Sequence, residues 1–540
     1  MAELGPARGP TCSIEWVSTE PTLDDARTAL ECASQVVDQA IATAKAMGPA
    51  AHDDQVFLYD LSHAAAGISM SEVALDFAAK GADEERLAKI FVGRVIAQLG
   101  ATLWSSGERW GVAVDALGPA QAFAAAATAG DYVASASGVR APAHLAEDME
   151  MVADTFRRFA EERIMPQAEH IHREDLDVPM DIIRGVAELG CFGLSIPEEH
   201  GGFAQGTEDD YLAMIIATEE LSRGSLGAGG SLITRPEILA RALEGGGTEA
   251  QKQHWLPRLA SGETLCAVAV TEPDYGSDVA GLKVTATETE GGWILNGTKT
   301  WCTFAGRATA LMVLCRTNPD PEAGHRGLSL LIVDKPTDDG HAFRHEKDGG
   351  VLEGRAIPTL GYRGMHSYEV NFSDWFVPAE NLIGGEDGLG RGFYLQMAGF
   401  ENGRVQTAAR AVGLMQRAYE LAAEYAEGRK VFGSTLDEYQ LTQVKLGTMA
   451  SLIQVSRQYA YEVARRMAAG DGAAEAAMAK AFVCKAAEWV TREALQIHGG
   501  YGYAEEYEIS RLYVDARVLS IFEGADETLC LKLIARRLLS

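Results

Sequence analysis

The chain of 540 residues carries 47 lysines and arginines against 77 aspartates and glutamates, which gives a formal net charge of -30. A surplus of negative charge of this size excludes nucleic acids and anionic membrane surfaces as partners, because phosphate groups must be met by excess positive charge. The length exceeds what a single hydrophobic core usually supports, so we expect three or four domains.

The cysteine pattern predicts reduced thiols and no metal centre. No Cys-x-x-Cys pair or Cys/His cluster occurs, which disfavours a disulfide framework or a zinc site. The first twenty residues lack the apolar core of a secretion signal, and no later run is long and uncharged enough to span a bilayer. We therefore expect a cytoplasmic location. The eight cysteines are Cys12, Cys32, Cys191, Cys266, Cys302, Cys315, Cys484 and Cys530.

The first half of the chain is predicted to be largely helical. From about Leu23 to Gly130 the sequence is rich in alanine, and its apolar residues recur at helical spacing. Residues 138–142 have the composition of a linker, after which helical patterning resumes from Leu145 to Leu189. Further helix is predicted from Asp209 to Ser222 and onward from Pro236.

The pattern changes near Cys266. From there to about Val377, short alternating runs are separated by Gly-Gly and Asn-Gly pairs, which is typical of strands and hairpins. After Pro378 and a glycine-rich loop, long runs rich in alanine, leucine and methionine predict helices again, and Gly399–Arg404 is predicted to open a long helix. We therefore expect a mainly α protein with an inserted β domain, divided into residues 1–142, 143–265, 266–378 and 379–540.

Two pairs of segments suggest an internal repeat. Residues 55–62 resemble 443–450, and residues 87–94 resemble 478–485 at nearly the same separation. One interpretation is that the N-terminal segment is a decayed copy of the C-terminal helical domain. The other is that alanine-rich amphipathic helices match by composition alone.

A single carboxylate near the C-terminus is a candidate catalytic base. Glu523 lies between Phe522 and Gly524 in the run Ile-Phe-Glu-Gly-Ala. Burial in apolar surroundings would raise its pKa toward the range in which it takes a proton from carbon at neutral pH. The alternative is an ordinary loop glutamate beside a turn glycine, since structural carboxylates outnumber catalytic ones.

Several other segments suit a planar ligand that carries phosphate groups. Val268–Asp278 predicts a strand followed by a Gly-Ser turn, which offers backbone N–H groups and two hydroxyls. Asn296–Thr303 begins with an Asn-Gly turn, after which Trp301 and Thr303 are predicted to share one face of a strand. Arginine binds phosphate oxygens in pairs, which suits Arg429 in Arg-Lys-Val-Phe-Gly.

These segments, with Gly399–Arg404 and Gln496–Gly502, stand in the order found in the acyl-CoA dehydrogenase family, which the chain resembles from about residue 145 to 540. The resemblance implies a helical domain, a β-barrel-like domain and a C-terminal four-helix bundle, preceded here by an N-terminal helical extension. It also implies FAD as cofactor, an acyl-CoA substrate and electron-transferring flavoprotein as electron acceptor. Because a second subunit completes FAD sites in this family, we expect a homodimer or homotetramer.

The resemblance gives each matching residue a role. Glu523 would abstract the α proton while the β hydride passes to the flavin, because Gly403 stands where some relatives keep their base. Ala525 replaces a family threonine whose hydroxyl often touches FAD. Substrate contacts are expected from Ser277, Arg404 and Gly524. Cofactor contacts are expected from Val270, Thr271, Ser277, Trp301, Cys302, Thr303, Arg429, Phe432, Gln440, Gln496, Gly499 and Gly500.

The N-terminal extension and the run Ile-Phe-Glu-Gly-Ala together resemble a bacterial branch of the family that acts on a short, branched dicarboxylic thioester. The free carboxylate of such a substrate needs a positive partner when it is buried. We propose Arg235 for this role, with an arginine that caps the preceding helix as the alternative. The competing functions are a monocarboxylic acyl-CoA dehydrogenase, an acyl-CoA oxidase and a non-catalytic scaffold.

Overall fold

The computed structural model describes residues 20–540, so the predictions for Cys12 and for the leader region lie outside the described residues. The described chain begins with helices, as predicted. The first is capped by Thr22, whose hydroxyl accepts the N–H of Asp25 while the Asp25 carboxylate accepts the N–H of Thr22. The helices of this segment are α1 (Leu23–Met47), α2 (Gln55–Ala78), α3 (Ala82–Trp110), α4 (Gly118–Ala127) and α5 (Gly130–Ala134).

Helix α3 corrects one prediction. By length and composition it could cross a membrane, although the sequence was expected to contain no such run. Its most apolar window is 61% buried inside the protein, where it packs against other helices. A core helix passes the same test of length and hydropathy, so this finding is weak evidence for a membrane span.

The second helical segment is less continuous than predicted. The run expected from Leu145 to Leu189 is interrupted at residues 174–179, where Asp175 has a positive φ of 53° and Pro179 cannot donate a helical hydrogen bond. Its helices are α6 (Glu147–Phe159), α7 (Met165–Arg173), α8 (Met180–Glu188), α9 (Glu208–Gly224), α10 (Thr234–Gly246) and α11 (Glu249–Ala260).

The β region forms one curled sheet. Its strands run in the order β1-β4-β2-β3-β8-β7-β6, with β5 paired to β4, and all pairings except β1–β4 and β2–β4 are antiparallel. The register of β3 against β8 shifts between Lys299 and Cys302, which marks a bulge. The strands are β1 (Cys266–Ala269), β2 (Thr285–Thr289), β3 (Gly292–Thr303), β4 (Ala310–Arg316), β5 (Leu328–Asp334), β6 (Ala342–Lys347), β7 (Gly350–Ala356) and β8 (Ser367–Pro378).

The C-terminal segment is helical again. Helix α12 begins at Gly392, earlier than the predicted start at Gly399, because Gly399 and Gly403 both pack inside the helix and do not interrupt it. The elements are α12 (Gly392–Gly428), β9 (Lys430–Val431), β10 (Ser434–Thr435), α13 (Gln440–Ala468), α14 (Ala473–His498), α15 (Glu508–Leu519), α16 (Asp526–Thr528) and α17 (Ala535–Leu539).

The N-terminal segment packs directly on the C-terminal helices. Helices α2 and α3 contact α13, and α2 also contacts α14 and residues 529–534. One hydrophobic cluster runs through α1 to α9, α12 to α15 and α17, a second lies within the sheet, and a third joins the sheet to α10 and α11. The segments of the proposed repeat lie in α2 and α3 and in α13 and α14. The repeat and the four domain boundaries stay predictions.

Candidate active site

The candidate base stands in a loop between α15 and α16. Glu523 has a φ of 54° and Gly524 a φ of 105°, so two successive residues adopt left-handed backbone conformations. This conformation costs a non-glycine residue roughly 1–2 kcal/mol and persists only where the surroundings hold it. The turn directs the Glu523 side chain inward, where it is 8% exposed.

Helix α12 supplies the partners of the Glu523 carboxylate. Nη2 of Arg410 donates to Oε2 of Glu523 at 2.8 Å, and the hydroxyl of Thr407 donates to the same oxygen at 2.7 Å. The Arg410 guanidinium also lies over the Phe522 ring, 4.9 Å from its centroid. Arg410 and Thr407 stand one helical turn apart, so both side chains reach the carboxylate from one face of α12.

The electrostatics of Glu523 differ from the expectation. Burial is the largest influence and opposes its charge, but the Arg410 and Arg235 guanidiniums and the hydrogen bonds from Arg410 and Thr407 together hold its pKa below the usual range. The predicted rise in pKa is therefore wrong. The sequence showed the apolar neighbours of Glu523 but not the arginines that folding places beside it.

Gly403 stands directly against the carboxylate. A Cβ built at Gly403 would lie 2.9 Å from Oε2 of Glu523, closer than real Cβ contacts allow. A side chain at this position and the Glu523 carboxylate would therefore compete for the same space. A side chain here would displace the Glu523 carboxylate from its hydrogen bonds with Arg410 and Thr407.

The arginines predicted to meet the substrate are both buried. Arg235 is 6% exposed and Arg404 is 7% exposed. Arg235 donates from Nη1 to the carbonyl of Ser231 at 3.3 Å, and Arg410 donates from Nη1 to the Ser231 hydroxyl at the same distance. Its burial excludes a surface position for Arg235, but the hydrogen bond to Ser231, the C-cap residue of the helical turn Leu226–Gly230, is the kind of contact a capping arginine makes, so both interpretations of Arg235 stay open. Burial lowers the pKa of Arg404, with partial compensation from Glu401 and Glu523.

A second buried carboxylate lies nearby. Glu237 of α10 is 3% exposed, accepts a hydrogen bond from Gln406 of α12 and lies 3.5 Å from Nε of Arg241. Burial raises its pKa, and the nearby charge of Glu523 adds to this effect. The side chains of α10 and α12 thus form a buried polar layer beside the candidate base, which the sequence patterns did not reveal.

The β domain contributes an exposed aromatic ring on an otherwise buried strand. Trp301 lies at the bulge of β3 with a φ of 57° and is 54% exposed. Thr303 is buried, and its hydroxyl lies 2.9 Å from the Ser367 hydroxyl. Cys302 points into the sheet core, where burial raises the pKa of its thiol to about 12, so any contact it makes with a cofactor comes from its backbone.

A buried ion pair fixes the neighbouring loop. Nζ of Lys299 donates to the carbonyl of Val270 at 2.8 Å and to Oε1 of Glu272 at 2.9 Å. The N–H of Thr300 donates to the carbonyl of Thr271 at 2.8 Å. Val270 and Thr271 are thereby held beside β3. Lys299 and Glu272 lie inside the two segments recognised in the sequence, but nothing in their spacing predicted the pair.

Ser277 brings the β domain to the loop of the candidate base. Its exposed side chain accepts a hydrogen bond from the Thr528 hydroxyl at 3.0 Å, and Thr528 belongs to α16, just after Glu523 and Gly524. The contact joins Ser277 to α16, the helix that follows the loop of Glu523 and Gly524.

The remaining predicted cofactor residues lie at one end of the C-terminal helices. Arg429 follows α12, Gln440 begins α13, and Gln496 and Gly499–Gly500 end α14. Arg429 lies over the Tyr501 ring, and Gln440 donates to Asp131 of α5. Phe432 is fully exposed. The His498 ring stacks on the Tyr425 ring, with 4.4 Å between the ring centroids.

These groups fit a flavin. The half-exposed indole of Trp301 offers a flat apolar surface for a tricyclic ring, and the hydroxyls of Thr271 and Thr303 offer hydrogen bonds to its polar edges. A Cβ at Gly499 or Gly500 would meet nothing within 4 Å, so the backbone there is open to a close ligand.

Comparison with known proteins identifies the class. Family models of the acyl-CoA dehydrogenase N-terminal, middle and C-terminal domains match residues 146–263, 267–375 and 390–539. The chain therefore belongs to the acyl-CoA dehydrogenase family, and it is an oxidoreductase that acts on acyl-CoA thioesters with a flavin.

One curated relative and two solved structures show the range of similarity. The chain is 46% identical to the (2S)-methylsuccinyl-CoA dehydrogenase of Cereibacter sphaeroides over 73% of its length and 70% of that protein. It is 26% identical, with a TM-score of 0.63, to a glutaryl-CoA dehydrogenase from Mycobacterium smegmatis in complex with FADH2, covering 73% of this chain and 95% of that one. It is 31% identical, with a TM-score of 0.66, to a chain in a structure of the electron transferring flavoprotein of Acidaminococcus fermentans, covering 73% and 99%.

Proposed function

We propose that this acyl-CoA dehydrogenase oxidises a short, branched dicarboxylic acyl-CoA, and that the substrate is (2S)-methylsuccinyl-CoA, which becomes mesaconyl-CoA. The observation that carries the proposal is the surplus of buried positive charge beside Glu523. Arg235, Arg404 and Arg410 are all buried there, and among residues 20–540 only Arg410 forms an ion pair with Glu523. The name of the 46% identical relative supports the same substrate.

A buried guanidinium without an anionic partner is unfavourable, because it has lost its hydration and gained nothing in exchange. Nε of Arg404 is buried without a hydrogen-bond partner among residues 20–540, and the hydrogen bond found for Arg235 goes to a carbonyl. The second carboxylate of a dicarboxylic acyl group would supply the missing charge. A monocarboxylic acyl group would leave both arginines with only the partial compensation that the carboxylates already present provide.

Glu523 is the proposed base of the reaction. It would take the α proton onto its carboxylate as the Cα–H bond breaks, and the electrons of that bond would form the Cα–Cβ double bond. The backbone N–H of Glu523 has no acceptor among the described residues, so it can donate to the thioester oxygen as negative charge develops there. FAD, when bound, accepts the β hydrogen together with its electron pair.

FAD is the proposed flavin. Val270, Thr271, Trp301 and Thr303 would contact its ring, and Ser277 would lie between cofactor and substrate. The phosphate and adenine groups would meet the C-terminal residues of the site, which are Arg429, Phe432, Gln440, Gln496, Gly499 and Gly500. The flavin content of the purified protein, measured after denaturation and chromatography, tests this identification.

We also propose a homo-oligomer in the cytoplasm that passes electrons to an electron-transferring flavoprotein. Exposed Phe432, Leu441 and Tyr503 lie at the same end of the molecule as the residues proposed for FAD, so a second subunit could cover them. Light scattering during gel filtration measures the subunit number. Turnover with a purified electron-transferring flavoprotein, compared with turnover under oxygen alone, separates dehydrogenase from oxidase.

The substrate is tested by flavin bleaching. We expect (2S)-methylsuccinyl-CoA to reduce the bound flavin under anaerobic conditions much faster than butyryl-CoA or isobutyryl-CoA. Faster bleaching by either monocarboxylic thioester would contradict the dicarboxylic proposal. A yellow protein that no acyl-CoA bleaches would instead indicate a scaffold.

The role of Arg235 is tested by its replacement. Arg235→Met should lower kcat/KM for (2S)-methylsuccinyl-CoA about 30-fold or more relative to butyryl-CoA, because losing one partner of a buried charge pair costs about 2–5 kcal/mol. The ratio of the kcat/KM values for the two substrates is used because an effect of the substitution on Glu523 changes both values and cancels in the ratio. Arg184→Met, on the exposed side of α8, is the control and should leave the ratio unchanged.

A further inference from the structure

One face of α2 in the N-terminal extension contacts the chain just after the candidate base. Tyr59, Ser62 and His63 have the spacing of neighbours on one helical face. All three reach residues of the segment that follows Glu523 and Gly524. The extension lies outside the three matched family domains, so these contacts are additional to the family fold.

The contacts converge on Asp526. The Tyr59 hydroxyl donates to Oδ2 of Asp526, and Nε2 of His63 lies 3.1 Å from the same oxygen. Lys485 of α14 donates to the Tyr59 oxygen at 2.8 Å and lies 3.7 Å from Asp526. One turn further along the chain, the Ser62 hydroxyl donates to the carbonyl of Cys530 at 2.9 Å.

The environment makes these contacts strong. The Asp526 side chain is 10% exposed and that of His63 is 18% exposed, so water competes little for either group. Burial opposes the charge on Asp526, but hydrogen bonds from His63 and Tyr59 keep its pKa below the usual range. The carboxylate is therefore ionised at neutral pH. The Lys485 ammonium beside it makes the cluster of His63, Asp526 and Cys530 unsuitable for a metal cation.

Asp526 is well placed to control Glu523. It is the first residue of α16 and follows Glu523 by three positions, with Gly524 and Ala525 between them. Its N–H donates to the carbonyl of Ser520, which closes the loop that contains Glu523. The left-handed backbone of Glu523 and Gly524 must be held from outside the loop, and Lys480 holds one side by donating to the Gly524 carbonyl at 2.6 Å.

We propose that Tyr59 and His63 of the extension are positioning residues for the catalytic base. They hold Asp526, and through Asp526 they fix the loop that presents Glu523 to the α carbon of the substrate. The role of the extension in catalysis would then be to complete the support of this loop. The inference rests on the proposed function only in taking Glu523 as the base.

The experiment measures flavin reduction in the full-length holoenzyme. The double variant Tyr59→Phe/His63→Leu removes both contacts to Asp526 and keeps side chains of similar size. We expect the anaerobic rate constant for flavin reduction at saturating acyl-CoA to fall about tenfold to a hundredfold, because small displacements of a catalytic group have effects of this size. The KM and the flavin content should stay near those of the wild type, whereas the thermal midpoint should fall because a buried carboxylate loses two of its partners.

Ser69→Ala is the matched control. Ser69 also lies on α2, and its hydroxyl is 3.0 Å from that of Tyr459 in α13, so the change removes a contact between the extension and the core away from Glu523. We expect wild-type flavin reduction in this variant. An equal loss of rate in Ser69→Ala and in the double variant would show that the extension acts only through general stability, and would overturn the proposal.

Two further measurements keep the test decisive. If the double variant does not fold, Asp526→Asn is used instead, and it should slow flavin reduction with little change in KM. Exchange of the substrate α hydrogen with deuterated water measures proton abstraction directly and should slow by the same factor. Wild-type rates of reduction and exchange in these variants would refute the positioning role.

The substrate proposal and the positioning proposal fail in different ways. Rates of each variant are compared with the wild type using (2S)-methylsuccinyl-CoA and butyryl-CoA in parallel. Reduction of the wild type by butyryl-CoA alone would reject the dicarboxylic substrate and leave the comparison between variants valid. Equal rate constants of flavin reduction in the double variant and the wild type, with both substrates, would reject the positioning role.

Discussion

At the level of single residues, Glu523 is held by Arg410 and Thr407 although its chain neighbours predict apolar surroundings. The pairing keeps the carboxylate ionised at neutral pH in spite of its burial. An ionised carboxylate can accept a proton at once, but a lowered pKa makes it a weaker base.

The role of Arg410 predicts a change in the pH profile. Arg410→Met removes the main attraction for the ionised carboxylate, so the pKa of Glu523 should rise. Activity requires the ionised base. The acid limb of kcat/KM against pH should therefore move to higher pH in this variant. The control is Arg417→Met on the same helix α12, which breaks a pair with Glu508 of α15 and should leave the acid limb in place.

The same pKa shift has a consequence for stability. A carboxylate whose folded pKa is lowered stabilises the folded state above its unfolded pKa of about 4.3, and this contribution is lost as the pH falls through the folded value. The wild type should thus lose this contribution only in strong acid. Arg410→Met should lose stability already at neutral pH, because it leaves a buried charge without its partner.

The contact between Gly403 and Glu523 predicts that the base can be moved. Glu523→Gln should reduce the rate of flavin reduction by about a hundredfold or more, as expected when a general base is lost. In Glu523→Gly/Gly403→Glu, the space near Oε2 is free for the new carboxylate, so part of the activity should return. Stopped-flow measurement of flavin bleaching checks both results, and a double variant as inactive as Glu523→Gln would contradict the shared position.

At the level of elements, the Lys299–Glu272 pair connects β3 to the loop after β1. The Glu272 carboxylate also accepts the N–H groups of Lys283 and Val284 at 2.7 and 2.8 Å, so it organises the backbone of that loop. Val270, Thr271 and Trp301, all proposed to contact the flavin, therefore depend on one buried ion pair for their relative positions.

Breaking that pair should destabilise the β domain. Lys299→Met leaves Glu272 buried and uncompensated, which costs about 3–5 kcal/mol of unfolding free energy. Chemical denaturation followed by tryptophan fluorescence measures the loss. The double variant Lys299→Met/Glu272→Gln should be less destabilised than the single one, and equal or greater loss in the double variant would show that the charge is not the cause.

At the level of the whole molecule, the N-terminal extension shares its hydrophobic core with the C-terminal helices. Leu58, Leu61 and Phe91 belong to the same cluster as Met449 and Ala487. Removal of the extension would expose these apolar faces of α13 and α14 to water, and exposed apolar area of that kind promotes aggregation.

A truncated chain of residues 143–540 should therefore be poorly soluble, although it contains all three matched family domains. Soluble yield and gel filtration of the truncated and full-length proteins, expressed in parallel, measure the effect. A soluble, flavin-loaded truncation with a wild-type thermal midpoint would show that the shared core is dispensable.

The sequence by itself determined the order of helical and β segments, the family and the position of the candidate base. These features are encoded locally, because the period of apolar residues and motifs such as Ile-Phe-Glu-Gly-Ala are complete within a few residues. The early start of α12 and the break before Pro179 were missed, because helix ends depend on packing as well as on local composition.

Only the tertiary structure decided how the site is charged and supported. Arg410 pairs with a residue 113 positions away, and Tyr59 with one 467 positions away, so no local pattern could show either contact. The direction of the Glu523 pKa shift follows from the same cause. Burial alone raises the pKa of a carboxylate, and the sign reverses only when folding brings cations from distant parts of the chain against it.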